Sequence, residues 1–148
     1  MVIETEGNLF DAGDWSVILP QVNCMGIAGA GLAKQMDSAF PGWKASYAEH
    51  CRTFRPDELI GTFRSFKAGE KKIVCDAFGQ IDISKARRMT DYKAWQKIFP
   101  TLERQIRKMN SEEGMAWSLH IPYKLGCGLG GGDLNEMHRM IEFYFDDS

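Results

Sequence analysis

Two glycine-rich strings hold the residues best placed to do chemistry. The first reads Asn23-Cys24-Met25-Gly26-Ile27-Ala28-Gly29-Ala30-Gly31-Leu32-Ala33-Lys34, and the second reads Gly126-Cys127-Gly128-Leu129-Gly130-Gly131-Gly132-Asp133. Glycine lets a backbone approach a ligand closely and take positive φ. Each string runs into a stretch that reads as a helix, at residues 30–39 and about 134–145. A helix start presents amide N–H groups and the positive end of its dipole, which favours an anion such as phosphate. One such string alone can also be read as no more than a tight turn. Two facing each other would hold a diphosphate from both sides.

Standard nucleotide motifs do not fit. Gly126-Cys127-Gly128-Leu129-Gly130-Gly131 matches G-x-G-x-x-G letter by letter, but the 17 residues after Gly131 are too few for a helix, a second strand and an acidic ribose ligand. The first string has Gly29 and Gly31, with Lys34 where a third glycine belongs. Neither string continues into Gly-Lys-Ser/Thr, so a dinucleotide dehydrogenase and a P-loop NTPase are both excluded.

Single residues carry two readings each. Asp133, with Glu136 three residues on, is either an N-cap or a carboxylate that orients water for catalysis. Lys85, Arg87 and Arg88 are a solvated basic cluster or a phosphate contact. Cys24 and Cys127 lie inside the strings and read as small packing residues rather than nucleophiles. Phe78 is expected to line the pocket. His120 reads as a core histidine and His138 as part of a solvated helix face, and nothing marks His50 as catalytic.

The elements that must position these residues alternate. Residues 2–6 and 15–22 read as strands, followed by the first string and helices at 30–39 and 43–54. Strands are expected at 59–67 and 72–78, a helix at 91–109 and a strand at 115–121. In the 91–109 stretch Tyr92, Trp95, Ile98, Phe99, Leu102, Ile106 and Met109 recur at helical spacing, a core-packing stripe. Strands alternating with helices imply a layered α/β fold with a mixed, mostly parallel sheet, and ligands in such sheets sit beyond the strands' carboxyl ends.

Bulk properties agree with one domain over 1–148. The 148 residues are 44% hydrophobic and 26% charged, with a net charge of -2. That composition suits a globular core and offers no bulk charge for nucleic acid. Four widely spaced cysteines contain no C-x-x-C pair, so no metal site is expected. The opening Met1-Val2-Ile3-Glu4-Thr5-Glu6 lacks a secretory pattern, and no apolar run reaches membrane-spanning length. The expectation is a cytoplasmic, monomeric protein with reduced thiols and no membrane association.

At these residues the chain resembles the macrodomain family. Gln21-Val22-Asn23-Cys24, Gly29-Ala30-Gly31-Leu32-Ala33 and Phe40-Pro41 are similar to its first signature, and Ile121-Pro122 with Gly126 to Gly131 resembles its second. Asp76-Ala77-Phe78-Gly79-Gln80 and Thr90-Asp91-Tyr92 resemble a segment of the branch holding terminal ADP-ribose glycohydrolases and ADP-ribose-1''-phosphate phosphatases. The resemblance runs from about Gly7 to Phe145. It implies a three-layer α/β/α sandwich that binds ADP-ribose without a cofactor.

Carried over, Asn23 would contact the distal ribose. Gly29, Ala30, Gly31 and Leu32 would wrap the diphosphate together with Gly126, Cys127, Gly128, Leu129, Gly130 and Gly131. Asn8, with Leu9 beside it, stands where the family has an adenine-binding aspartate; it offers an acceptor oxygen without the charge. The branch's lysine and aspartate positions fall on Ala77 and Gly130, which argues against lysine-dependent glycohydrolysis. Many macrodomains add a strand after the last helix, which leaves one sheet edge unaccounted for.

The implied partners are ADP-ribose or an ADP-ribosylated macromolecule, with nucleic acid only as such a target. The expected function is ADP-ribose binding. A phosphatase or ADP-ribosyl hydrolase using the same pocket is the alternative, with Asp133 as its catalytic candidate.

Overall fold

Side chains alternate along the strands and sort onto two apolar faces. Val17, Leu19, Cys75 and Ala77 turn to one face, and Ile18, Val74 and Phe78 to the other. Both faces are apolar because helices cover both. The computed structural model describes residues 2–29, 31–83, 88–127 and 130–146.

In chain order the elements are β1 (Ser16–Ile18), β2 (Gln21–Asn23), α1 (Gly31–Ala39), α2 (Trp43–Thr53) and the single turn α3 (Pro56–Leu59). Then come β3 (Phe63–Gly69), β4 (Lys72–Gln80), α4 (Tyr92–Glu113), β5 (Ser118–His120) and α5 (Leu134–Phe145). Strand β4 is the spine. It runs parallel to β1 and β2 and antiparallel to β3, while β1 also pairs in parallel with β5. The sheet is therefore mixed and mostly parallel.

Helices α4 and α5 cover one face with Trp95, Ile98, Phe99, Leu102, Met137 and Ile141. Helices α1 and α2 cover the other with Met36, Trp43 and Tyr47. The result is the expected three-layer sandwich. Among the described residues no helix is long and apolar enough to cross a membrane.

Three expectations change. Residues 2–6 form no strand; they are exposed, and alternation without a sheet partner does not make one. The expected strand at 15–22 is two short strands, because Pro20 has no N–H to give the ladder. The ladder resumes through the Pro20 carbonyl, which accepts from the Ala77 amide at 3.0 Å. The strand expected from residue 59 begins at Phe63, since Pro56 at a helix start supports one helical turn first.

Helix ends follow local chemistry. Asp91 caps α4 by accepting from the Ala94 amide at 3.1 Å, and Gly114 closes that helix at φ 65. The helix thus runs one turn past Met109.

Candidate functional site

The site begins where β2 and β4 end. Asn23 closes β2, and its side chain folds back on the loop that follows. Its Oδ1 accepts from the Met25 amide at 3.0 Å and the Ile27 amide at 3.2 Å, and its Nδ2 donates to the Ile27 carbonyl at 2.7 Å. The Cys24 amide donates to the Ile81 carbonyl at 2.9 Å, so the loop also rests on the end of β4. Gly29 is exposed, and Gly31 heads α1 at φ 63, a conformation that favours glycine. Leu32 is half-buried against the α1–α2 side of the core.

The second loop is built on polar side chains from three elements. Trp95 Nε1 donates to Gln21 Oε1 at 2.7 Å. Gln21 Nε2 donates to Gln80 Oε1 at 2.6 Å and to Thr90 Oγ1 at 3.0 Å. Thr90 Oγ1 in turn donates to the Gly126 carbonyl. The Met89 and Thr90 amides both donate to the Gly130 carbonyl, at 2.8 and 3.0 Å, and the Gly132 amide donates to the Gly126 carbonyl at 2.8 Å.

Glycine is needed there for space. A Cβ at 126 would lie 2.7 Å from Gln21 Oε1, one at 130 would lie 2.6 Å from Thr90 Oγ1, and one at 132 would lie 2.7 Å from the Gly126 carbonyl. Gly131 adds a positive φ of 71.

Both loops converge on Gln80. The first reaches its carbonyl through Cys24 Sγ at 3.3 Å, and the second reaches its side chain through Gln21. They share the carboxyl edge of the parallel strands, and each leads into a helix.

Other residues named from the sequence fall as follows. Asn8 caps the short 3-10 turn Leu9–Asp11 by accepting from the Phe10 amide at 3.0 Å, which leaves a second lone pair. Leu9 packs half-buried against the α1–α2 side. Cys127 is half-buried, and its Sγ approaches the Leu125 carbonyl at 3.2 Å. Ala30, Gly128 and Leu129, with Lys85 and Arg87 of the basic cluster, lie outside the described residues.

Phe78 requires a correction. It is fully buried, stacked at 5.7 Å on His50 and 6.4 Å on Tyr47, and is a core residue rather than a pocket wall. The strand alternation that exposes Gly79 to Trp95 turns Phe78 into the opposite layer.

Asp133 is an N-cap. Its side chain accepts from the Glu136 amide at 3.0 Å, its own amide donates to the Tyr92 hydroxyl at 2.6 Å, and it is exposed. Arg88 lies over the Tyr92 ring at 4.7 Å. His138 is tied at 2.8 Å to the Tyr123 carbonyl, at the approach to the second loop. Burial, then the Arg64 charge, lowers the His50 pKa.

The cysteines pack. Burial pushes the Cys24 thiol up to about 12, with Cys51 acting in the same direction. Burial and then the Asp133 charge raise Cys127. Neither is a ready thiolate.

Ala77 is fully buried in β4, and a Cβ at 130 would meet Thr90 and Gln21.

Sequence reasoning did not single out Thr90 and Trp95 as supports of the second loop. Thr90 reaches the Gly126 carbonyl directly and Trp95 acts through Gln21, from positions that look like ordinary turn and core residues.

A surface recess of about 480 Å³ is lined by Phe10, Asp14, Phe40 and Lys71 beside the β3–β4 turn. It carries no helix start. A smaller one of about 210 Å³ opens beside the second loop between Ile81, Arg88, Met89 and Asp91.

The chain matches no family profile. A segment is 37% identical over 51 residues to the ADP-ribose 1''-phosphate phosphatase of Aspergillus clavatus, covering 34% of this chain and 26% of that protein. Another is 34% identical over 59 residues to the protein of the same name from Aspergillus oryzae, covering 38% and 29%. The match thus spans under a third of these relatives' length.

Among solved structures, the macrodomain of Mycobacterium tuberculosis DarG superposes with a TM-score of 0.79 at 22% identity, over 99% of this chain and 90% of that one. The macrodomain of Thermus aquaticus DarG gives 0.73 at 20%, over 96% and 88%. Thermosipho africanus DarTG, solved in complex with ADP-ribose, gives 0.72 at 22%, over 95% and 37%.

Proposed function

We propose, starting from a chain that has the macrodomain fold, that it binds ADP-ribose, free or as the terminal group on a macromolecule. The diphosphate lies between the loops at 24–30 and 121–133. The observation that carries this reading is their convergence on Gln80 at one edge of the sheet, each opening a helix. Helix starts that follow both loops favour an anionic group beside them. Nucleic acid enters this reading only as an ADP-ribosylated target. Neither a metal nor a cofactor is needed for binding.

Calorimetry with ADP-ribose tests it. The wild type should bind with 1:1 stoichiometry, and Gly29→Glu should abolish the heat. Gly29 suits the test because a Cβ there meets nothing within 4 Å, so the variant folds and places a carboxylate against the diphosphate. Gly31 suits it less, since its positive φ would strain any replacement. Unchanged binding by Gly29→Glu would move the ligand elsewhere.

A second reading, hydrolysis of ADP-ribose 1''-phosphate, is favoured by the names of the matched relatives and by the exposed Asp133 carboxylate at the start of α5. Asp133 would orient a water toward the phosphorus, and loop amides would steady the charge on its oxygens. Asp133→Asn separates the cap from the chemistry, because asparagine caps a helix as well as aspartate. Phosphate release that falls at least about a hundredfold with an unchanged Tm supports this reading. No release by the wild type leaves binding alone.

A further inference from the structure

We infer that Tyr47 is a positioning residue for the ligand site: its hydroxyl sets the conformation of the first glycine-rich loop through Asn23. The inference rests on the ADP-ribose reading for its ligand, and on the geometry alone for its effect on the loop.

Tyr47 sits on α2 and is fully buried. Its ring stacks on Trp43 at 5.1 Å with an 11° interplanar angle, and on Phe78. A phenylalanine would pack the same way, so the hydroxyl needs its own explanation. A buried hydroxyl is costly unless bonded. This one lies 2.6 Å from the Asn23 carbonyl oxygen and 3.0 Å from Asn23 Oδ1. Burial, the first cause, together with nearby acidic groups raises the phenol well above its usual range, so it remains a donor at every working pH.

Asn23 passes the constraint on. Two backbone amides donate to its Oδ1 and a carbonyl accepts from its Nδ2, so the orientation of the amide is settled by three contacts. Fixing Asn23 by its main-chain carbonyl, with Oδ1 beside the same hydroxyl, therefore holds the turn through Ile27. A second contact lies one helical turn on, where Gly26 at φ 76 packs against α2; a Cβ there would come within 3.3 Å of Cys51 Cβ.

The helix is itself a firm mount. Trp43 Nε1 donates to Asp76 Oδ1 at 2.8 Å, and Arg64 Nη1 donates to Ser46 Oγ at 2.6 Å. A loop held in its binding conformation loses less entropy when the ligand arrives.

The experiment compares wild type and Tyr47→Phe by calorimetry with ADP-ribose and by amide hydrogen exchange without ligand. The variant should bind about tenfold more weakly. Its Met25 and Ile27 amides should exchange about tenfold faster, while the β4 amides keep their wild-type order of protection. Wild-type affinity in a variant with faster exchange would overturn the positioning role, and so would unchanged exchange at Met25 and Ile27.

If Tyr47→Phe does not fold, the wild type decides. Its Met25 and Ile27 amides must then be far better protected than exposed loop amides, and free exchange there would overturn the inference. If the wild type does not bind ADP-ribose, the ligand reading fails alone and the exchange arm still judges Tyr47.

Discussion

Gly79→Ala should destabilise the protein by about 3–5 kcal/mol, enough to lower its Tm by about 10 °C or more. Alanine normally gains on glycine inside a strand, and Gly79 has no positive φ to defend. The effect comes from packing. A Cβ at this position would overlap Trp95 Nε1, lie 2.6 Å from Gln21 Oε1 and lie 2.8 Å from Trp95 Cε2. Trp95 is fully buried and cannot swing away. Either β4 shifts or the Trp95–Gln21 hydrogen bond breaks and leaves an indole N–H unpaired in the core.

That bond also supports the second loop, because Gln21 and Thr90 fill the space against which residues 126, 130 and 132 pack. Surviving folded protein should therefore bind ADP-ribose weakly. Thermal melts of Gly79→Ala, Trp95→Phe and the double variant check the cause. The smaller ring should restore part of the loss, a coupling of about 1 kcal/mol or more. Strict additivity would locate the damage elsewhere.

Asp76→Ala is expected to cost about 3–5 kcal/mol at neutral pH. Asp76 is fully buried and faces the α1–α2 layer together with Val74 and Phe78. Its Oδ2 accepts from Arg64 Nε at 2.8 Å and its Oδ1 from Trp43 Nε1 at 2.8 Å. Arg64 is nearly buried as well, at 10% side-chain exposure, and its Nη2 has no partner among the described residues. Removing the carboxylate strands that guanidinium in the core. Replacing both partners, Asp76→Val with Arg64→Met, should recover most of the loss, since two apolar side chains leave no charge unpaired.

The wild type should carry a pH signature of this site. Burial raises the Asp76 carboxyl to about 6, although Arg64 and Trp43 pull the other way. The folded state thus holds a proton that the unfolded chain releases at lower pH. The resulting contribution to stability is fully present below the usual carboxylate range and is lost as pH rises through about 6. Urea titrations between about pH 4 and 7 should show this slope in the wild type and lose it in Asp76→Asn. An unchanged slope in the variant would assign it to other carboxylates.

The sequence by itself determined both glycine-rich loops, the helix starts behind them and the order of the elements from β3 onward. Amphipathic spacing from Tyr92 to Met109, the cap at Asp133 and the stop before Pro56 are local properties, set within a turn or two of chain. The tertiary structure decided what those loops rest on. Trp95 and Gln21 lie 74 residues apart and Tyr47 and Asn23 lie 24 apart, and no periodicity marks either pair.

The same holds for Phe78, whose place in the core depends on which helix layer covers that side of β4. It holds too for the break at Pro20, where a proline that reads as part of an apolar run divides one expected strand into two. Local patterns follow from backbone geometry repeating every two or 3.6 residues. Contacts between distant residues follow only from strand register and layer packing, which exist once the sheet has formed.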